Sequence, residues 1–157
     1  MKTKTYFLDF DKAWKSEKIV RTFLLDNSTS VRFSKMRILN LGLSRSFAKQ
    51  HKKFNQFLEK IKPDLISKTA KSAGKIFKKQ TESYKYKLSR KLKSLINKET
   101  ILFYINTAKF FYEFENPIFY KNGRKMGEVI SHEPIITLYL TDSEKKLLKK
   151  KGIVFES

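Results

Sequence analysis

Residues 44–98 read SRSFAKQHKKFNQFLEKIKPDLISKTAKSAGKIFKKQTESYKYKLSRKLKSLINK, and every expectation about the architecture turns on the period assigned to them. The stretch carries 17 Lys and Arg against three acids, Glu59, Asp64 and Glu82, and so supplies most of the chain's net charge of +20. From Ser44 to Ile61 the apolar residues Phe47, Phe54, Leu58 and Ile61 recur at about 100° per residue, with Arg45, Lys49, Lys52, Lys53 and Lys60 opposite them. That pattern predicts an amphipathic helix. Pro63 interrupts it and suits the first turn of another. Read at the same period, Ile66, Ala70, Ala73, Phe77, Tyr84, Leu88 and Leu95 form one stripe, and Lys68, Lys75, Lys79, Arg90 and Lys93 lie opposite. The expected element is a second basic helix of roughly 30 residues, about 45 Å long at ~1.5 Å per residue, packed back on the first.

Outward toward the N-terminus, residues 6–10 read as a short strand, and Asp11 is placed to cap a helix through Trp14, Ile19, Val20, Phe23 and Leu24. Asp26, Asn27 and Ser28 end that helix. Val31, Phe33, Met36, Ile38, Leu39 and Leu41 form an apolar run of mixed period closed by Gly42, read as helix. Toward the C-terminus both charge and period change, for the 59 residues from Glu99 hold nine basic and eight acidic side chains. Residues 101–105 and 109–115 read as strands, with Phe110, Tyr112 and Phe114 on one face packed against the helices. Pro117 opens a strand over 118–121, and Asn122-Gly123 specifies a type I′ hairpin turn into 124–130. A further strand follows Pro134 over 135–140. Thr141-Asp142-Ser143-Glu144 has capping-box spacing, Gly152 stands where that helix ends, and 153–155 is expected to return as an edge strand.

The fold class expected is therefore α+β, with amphipathic basic helices in the N-terminal two-thirds packed on a small antiparallel, hairpin-containing C-terminal sheet. A chain of 157 residues, 40% hydrophobic and 14% aromatic, fits one domain over 1–157, with residues 1–98 basic and helical and residues 99–157 near-neutral and β-rich.

Such a positive surplus repels itself, and counterion release makes nucleic acid the polyanion best suited to neutralise it. Of the basic residues 29 are Lys and six are Arg. Lysine is a point charge suited to phosphate, whereas bidentate reading of base edges favours arginine, so backbone gripping with low sequence specificity is expected, from DNA or RNA. The expected contacts are Arg45, Lys49, Lys52, Lys53, Lys60, Lys68, Lys75, Lys79, Arg90 and Lys93 on the helical faces. Tyr86 projects between Lys85 and Lys87 to stack on an exposed base. The function expected is a non-enzymatic packaging, replication-accessory or ribonucleoprotein role, in the cytoplasm or in a virion, as for a viral or mobile-element protein. Two rival readings are a metal-dependent nuclease and a module that binds an acidic protein surface.

The chain contains no cysteine, which excludes thiolate chemistry and Cys-containing zinc sites. No apolar run approaches the ~18 residues of a membrane span, so no membrane partner is expected. With five glycines and neither a P-loop nor a dinucleotide fingerprint, no cofactor is expected. Asp9 and Asp11 put two carboxylates on one face of a strand, the arrangement that holds a divalent cation. The same residues partly resemble the DxDx(T/V) opening of haloacid-dehalogenase-like phosphatases, with Ala13 where that pattern has Thr or Val. Glu113 and Glu115, near a strand end, are the second metal pair to test, and His51 and His132 lie in different halves with no nucleophile placed beside them.

Overall fold

The computed structural model describes residues 2–8, 10–38, 52, 55–73, 79–99, 114–131, 133 and 135–155. In chain order these form β1 (Lys4–Leu8), α1 (Phe10–Asn27), β2 (Ser30–Ile38), a helix over 55–61 (α2) and a short 3-10 turn over Lys62–Asp64. Then come β3 (Leu65–Ala73), β4 (Lys79–Lys87), α3 (Arg90–Glu99), β5 (Glu115–Lys121), β6 (Arg124–Ile130), β7 (Ile135–Leu140) and α4 (Asp142–Lys150). All seven strands join one antiparallel sheet in the order β1-β7-β6-β5-β2-β4-β3. This overturns the expected fold of a helical front packed on a small C-terminal sheet. The class is α+β, but the sheet is the body of the molecule and draws strands from both halves.

In β4, Glu82, Tyr84 and Tyr86 are buried while Thr81, Ser83, Lys85 and Lys87 are not, a period of two. In β2, Val31 and Phe33 are buried while Arg32 and Ser34 are half-buried, so the stretch read as helix is a strand as far as Ile38, and Leu39, Leu41 and Gly42 lie outside the described residues. Residues four apart share a face in a strand as well as in a helix, because four is a multiple of two. Within the stripe Ile66, Ala70, Ala73, Phe77, Tyr84, Leu88, Leu95, the steps Ile66–Ala70, Ala73–Phe77 and Tyr84–Leu88 are of this kind and fit either period, while the steps of three and seven between them fit only the helix. Aromatic β4 then goes to the pleated sheet that its side chains pack best. Helix resumes at Arg90, where the Ser89 hydroxyl accepts from the Leu92 N–H at 3.1 Å and donates to the Asp64 carboxylate.

Register divides the sheet into two faces. Tyr86, Val31, Phe119, Gly127, Leu138 and Tyr6 are successive cross-strand partners on one of them. Against this face α1 buries Val20, Phe23 and Leu24, α2 buries Phe57 and Ile61, α3 buries Leu92 and Ile96, and α4 buries Leu148, all in one core. The closest approach is at Gly127, where a Cβ would stand 2.9 Å from Leu24 Cδ2, 3.0 Å from Leu138 Cδ2 and 3.2 Å from the Thr137 carbonyl. Toward β4 the core is aromatic, with Phe33 stacked on Phe114 at 4.8 Å and Tyr84 tilted against Phe114 at 5.3 Å.

Local expectations met different fates. Asn122 and Gly123 form the hairpin turn with φ of 49° and 85°, as type I′ geometry demands. Thr141 and Glu144 close the capping box of α4, and Arg124 reinforces it with Nη2 2.7 Å from Glu144 Oε1 and Nη1 3.1 Å from the Tyr139 carbonyl. Gly152 turns the chain at φ 95°. The segment 153–155 is not a strand; it sinks Ile153 and Phe155 into the core, with the Phe155 ring 5.1 Å from that of Tyr6. Asp11 lies inside the first turn of α1, which begins at Phe10, and so is not its cap. The strand expected over 101–105, most of the one over 109–115, and Phe47, Phe110 and Tyr112 lie outside the described residues; Phe114 is buried as expected.

Replacing Gly127 with Val should cost about 1–3 kcal/mol, the range for overpacking a filled core, with the fold retained. Urea unfolding of the variant checks this, and an unchanged midpoint would contradict the seating of α1 on β6.

Candidate functional site

Of the two basic rows expected on two helices, the second is broken up by β3 and β4. Lys52 and Lys60 remain exposed on helical segments, and Arg90 is exposed at the start of α3 with the half-buried Lys93 behind it. Lys91 donates to the Lys60 carbonyl at 2.9 Å, so the basic surfaces of α2 and α3 adjoin. Lys68 instead lies on β3, its ammonium 2.9 Å from the buried Glu82 carboxylate and 5.0 Å over the Tyr84 ring, and is engaged within the protein. Lys79 opens β4. Tyr86, expected to stack on a base, is 2% exposed in the aromatic core. Arg45, Lys49, Lys53, Lys75 and His51 lie outside the described residues.

The Glu82 cluster shows how the few acids are used. Burial alone would raise the Glu82 pKa, but hydrogen bonds from Lys68 and Tyr84 and the charges of Lys68 and Lys35 outweigh it and hold the carboxyl below its ordinary value. Lys68 is held above its ordinary value by its hydrogen bonds to Tyr84 and Glu82. Burial pushes the Tyr86 phenol up, in keeping with a core position.

The second face of the sheet lay outside every expectation, and among the described residues no helix covers it. One row of cross-strand partners runs Ser67, Lys85, Arg32, Ile118, Glu128, Thr137, Phe7 from β3 to β1. Beside it, Lys87, Ser30 and Tyr120 are partners in a second row. Lys85 and Arg32 face each other directly, an arrangement of like charges that destabilises a strand pair. The Lys85 ammonium lies 4.9 Å over the Tyr120 ring, which takes up some of that charge. Further across, Lys125 Nζ stands 2.8 Å from Glu128 Oε2 and 5.2 Å over the Tyr139 ring, while the Tyr139 hydroxyl donates to Glu128 Oε1. Burial would raise Glu128, yet the bonds from Lys125 and Tyr139 and the charges of Lys125 and Arg32 bring it below its ordinary value, so it stays ionised and neutralised in place. At the β1 end the face turns apolar, with Phe7 67% and Ile130 43% exposed.

This face combines residues 7 to 139, so no local run of sequence displays it. Its signal was the polar half of each alternation, Ser30-Arg32-Ser34 in β2 and Ser83-Lys85-Lys87 in β4, which a period of two would have separated from the buried half.

Of each expected metal pair, one member lies among the described residues. Asp11 is exposed on α1 and Glu115 begins β5, while Asp9, Glu113 and His132 lie outside the described residues. Among the described residues no three His, Asp or Glu side chains converge, and no helix is long and apolar enough to cross a membrane. The chain matches no protein-family model, and no curated protein and no solved structure matches it.

Glu82 and Glu128 are both depressed in the folded state, so each contributes stability above its unfolded value and loses it as pH falls through the folded one. Unfolding free energy should therefore decline as pH drops below about 4.3, the ordinary glutamate value. Glu82→Gln should lower stability at neutral pH and flatten this acid limb. Denaturation followed from roughly pH 7 down to about 2, through the range in which carboxylates titrate, checks it. An acid limb identical to the parent's would show that the Glu82 cluster is not what titrates.

Proposed function

We propose that this is a non-enzymatic nucleic-acid-binding protein that grips phosphate backbones with low sequence specificity. Packaging of a nucleic acid, assistance to its replication, or a place in a ribonucleoprotein particle all suit such an activity. The observation that carries the reading is the direct cross-strand pairing of Lys85 with Arg32 on a sheet face that no described helix covers, in a chain with 35 basic and 15 acidic residues. Like charges opposed across a strand pair cost stability in the free protein, and an anion against them would relieve it.

The disposition of four of the 15 acids supports it. Glu17 pairs with Arg21 at 3.3 Å, Glu82 with Lys68, Glu128 with Lys125 and Glu144 with Arg124, each of these carboxylates buried or half-buried, whereas Glu59 pairs with Lys62 and Asp142 with Lys4 in the open. Carboxylates engaged in internal pairs do nothing to screen the exposed Lys52, Lys60, Lys87 and Arg90 from an approaching polyanion. The excess of Lys over Arg, 29 to six, suits point contacts to phosphate rather than bidentate reading of bases.

Titrating salt against a mixed-sequence oligonucleotide tests the reading. With about five phosphates neutralised, the log-log slope should be near −3.5 to −4.5, at roughly −0.7 per contact for a single strand and −0.9 for a duplex. A slope flatter than about −2, or polyglutamate bound as tightly at equal charge, would overturn it. The oligonucleotide should remain intact in Mg²⁺ and Mn²⁺; metal-dependent cleavage that Glu115→Gln abolishes would replace a binder with a nuclease.

A further inference from the structure

Resting on that reading, we infer that the occupant of the outer sheet face is a single strand of nucleic acid, its phosphates against Lys85 and Arg32 and its bases against Tyr120 and Phe7. Three features of the face fit a single strand better than a duplex.

Its composition is graded. The cations Lys85, Arg32 and Lys87 stand on β4 and β2, while Phe7 and Ile130 expose apolar surface on β1 and β6. A duplex offers phosphates and hides the faces of its bases, so the apolar end would gain nothing from it. A single strand offers both phosphates and unstacked bases, and stacking on aromatic rings needs no particular sequence.

Its reach is right. Lys85 and Phe7 lie in one cross-strand row, five strand spacings apart. At ~4.8 Å per spacing that is about 24 Å, room for a site of a few nucleotides.

Its cations and rings are already coupled. In the free protein the Tyr120 ring holds the Lys85 ammonium at 4.9 Å, which eases the repulsion from Arg32. A phosphate that takes the ammonium releases the ring, and a base can then cover it, so one nucleotide satisfies both groups. Glu128 does not oppose this. Lys125 and the Tyr139 hydroxyl already bind its two oxygens, and they keep the middle of the face near neutral.

Fluorescence anisotropy with labelled oligo-dT, oligo-U and a hairpin duplex of equal length, at one salt concentration, tests the inference. Both single strands should bind at least about tenfold more tightly than the duplex, since neither stacking nor an ammonium contact reads the sugar. Phe7→Ala and Tyr120→Ala should each weaken single-strand binding about 5- to 100-fold and leave duplex binding unchanged, whereas Tyr120→Phe should bind like the parent. Arg32→Gln with Lys85→Gln should weaken both ligands and reduce the single-strand salt slope by about 1.4, two contacts at ~0.7 each. Phe7 is 67% exposed on an edge strand, so its variant keeps the fold even if a Tyr120 variant does not. If the duplex binds as tightly as the single strands, or Phe7→Ala binds oligo-dT like the parent, the inference is wrong while backbone binding survives. A flat salt slope with every nucleic acid would remove both.

Discussion

Leu24 of α1 rests on Gly127, an interior position of the sheet where any larger residue would meet a side chain or the Thr137 carbonyl. That contact determines which face of the sheet is the core. Because antiparallel register carries one face unbroken from β4 to β1, seating α1 on Gly127 commits Tyr86, Val31, Phe119, Leu138 and Tyr6 to the interior together. The alternate residues are committed just as firmly to the other side. Lys85, Arg32, Tyr120 and Phe7 therefore face outward as a consequence of how the core is packed, and a slip of one residue in any strand would exchange the two sets.

Charge is distributed along the same division. A chain with so large a positive surplus gains by placing its carboxylates where each can hold a cation and a hydroxyl, as Glu82 holds Lys68 and Tyr84 on the core side and Glu128 holds Lys125 and Tyr139 on the outer side. Such pairs contribute little net stability, since desolvation offsets much of the attraction, but they fix register, because a misaligned strand would leave a carboxylate buried without partners. The rest of the surplus stays on the surface. Internal pairing cannot neutralise it, and salt or an opposing polyanion would relieve the repulsion.

What the sequence displayed was what local chemistry controls. Asn122-Gly123 needs positive φ at two consecutive positions, and Thr141 with Glu144 completes a reciprocal pair of hydrogen bonds, so turn and helix start follow from a few adjacent residues. The strands β3 and β4 were hidden because steps of four, such as Ile66 to Ala70 and Tyr84 to Leu88, are consistent with either period, and β2 because its apolar run mixes steps of one, two and three. Frequent lysine also blurs alternation, since its long apolar stem lets Lys68 lie on the core side without announcing it. Tyr86 was misplaced for the same reason: with the period wrong, a core residue fell among exposed ones. The outer face was out of reach for a different reason, being assembled from separated segments whose adjacency is a property of strand order.

The central claim is that one face of the sheet serves the core and the other serves a polyanion, and neighbouring isoleucines report on the two faces. Ile135 and Ile136 adjoin in β7, with Ile136 fully buried and Ile135 half-buried on the outer side, as is Ile118, while Ile130 is exposed there. Isoleucine methyl spectra recorded with an oligonucleotide carrying a nitroxide spin label read this directly. The account predicts strong broadening of the Ile118, Ile130 and Ile135 methyls with Ile136 and Ile96 much less affected. Uniform broadening, or broadening confined to Ile61 and Ile96 near α2 and α3, would contradict it and return the interface to the helices.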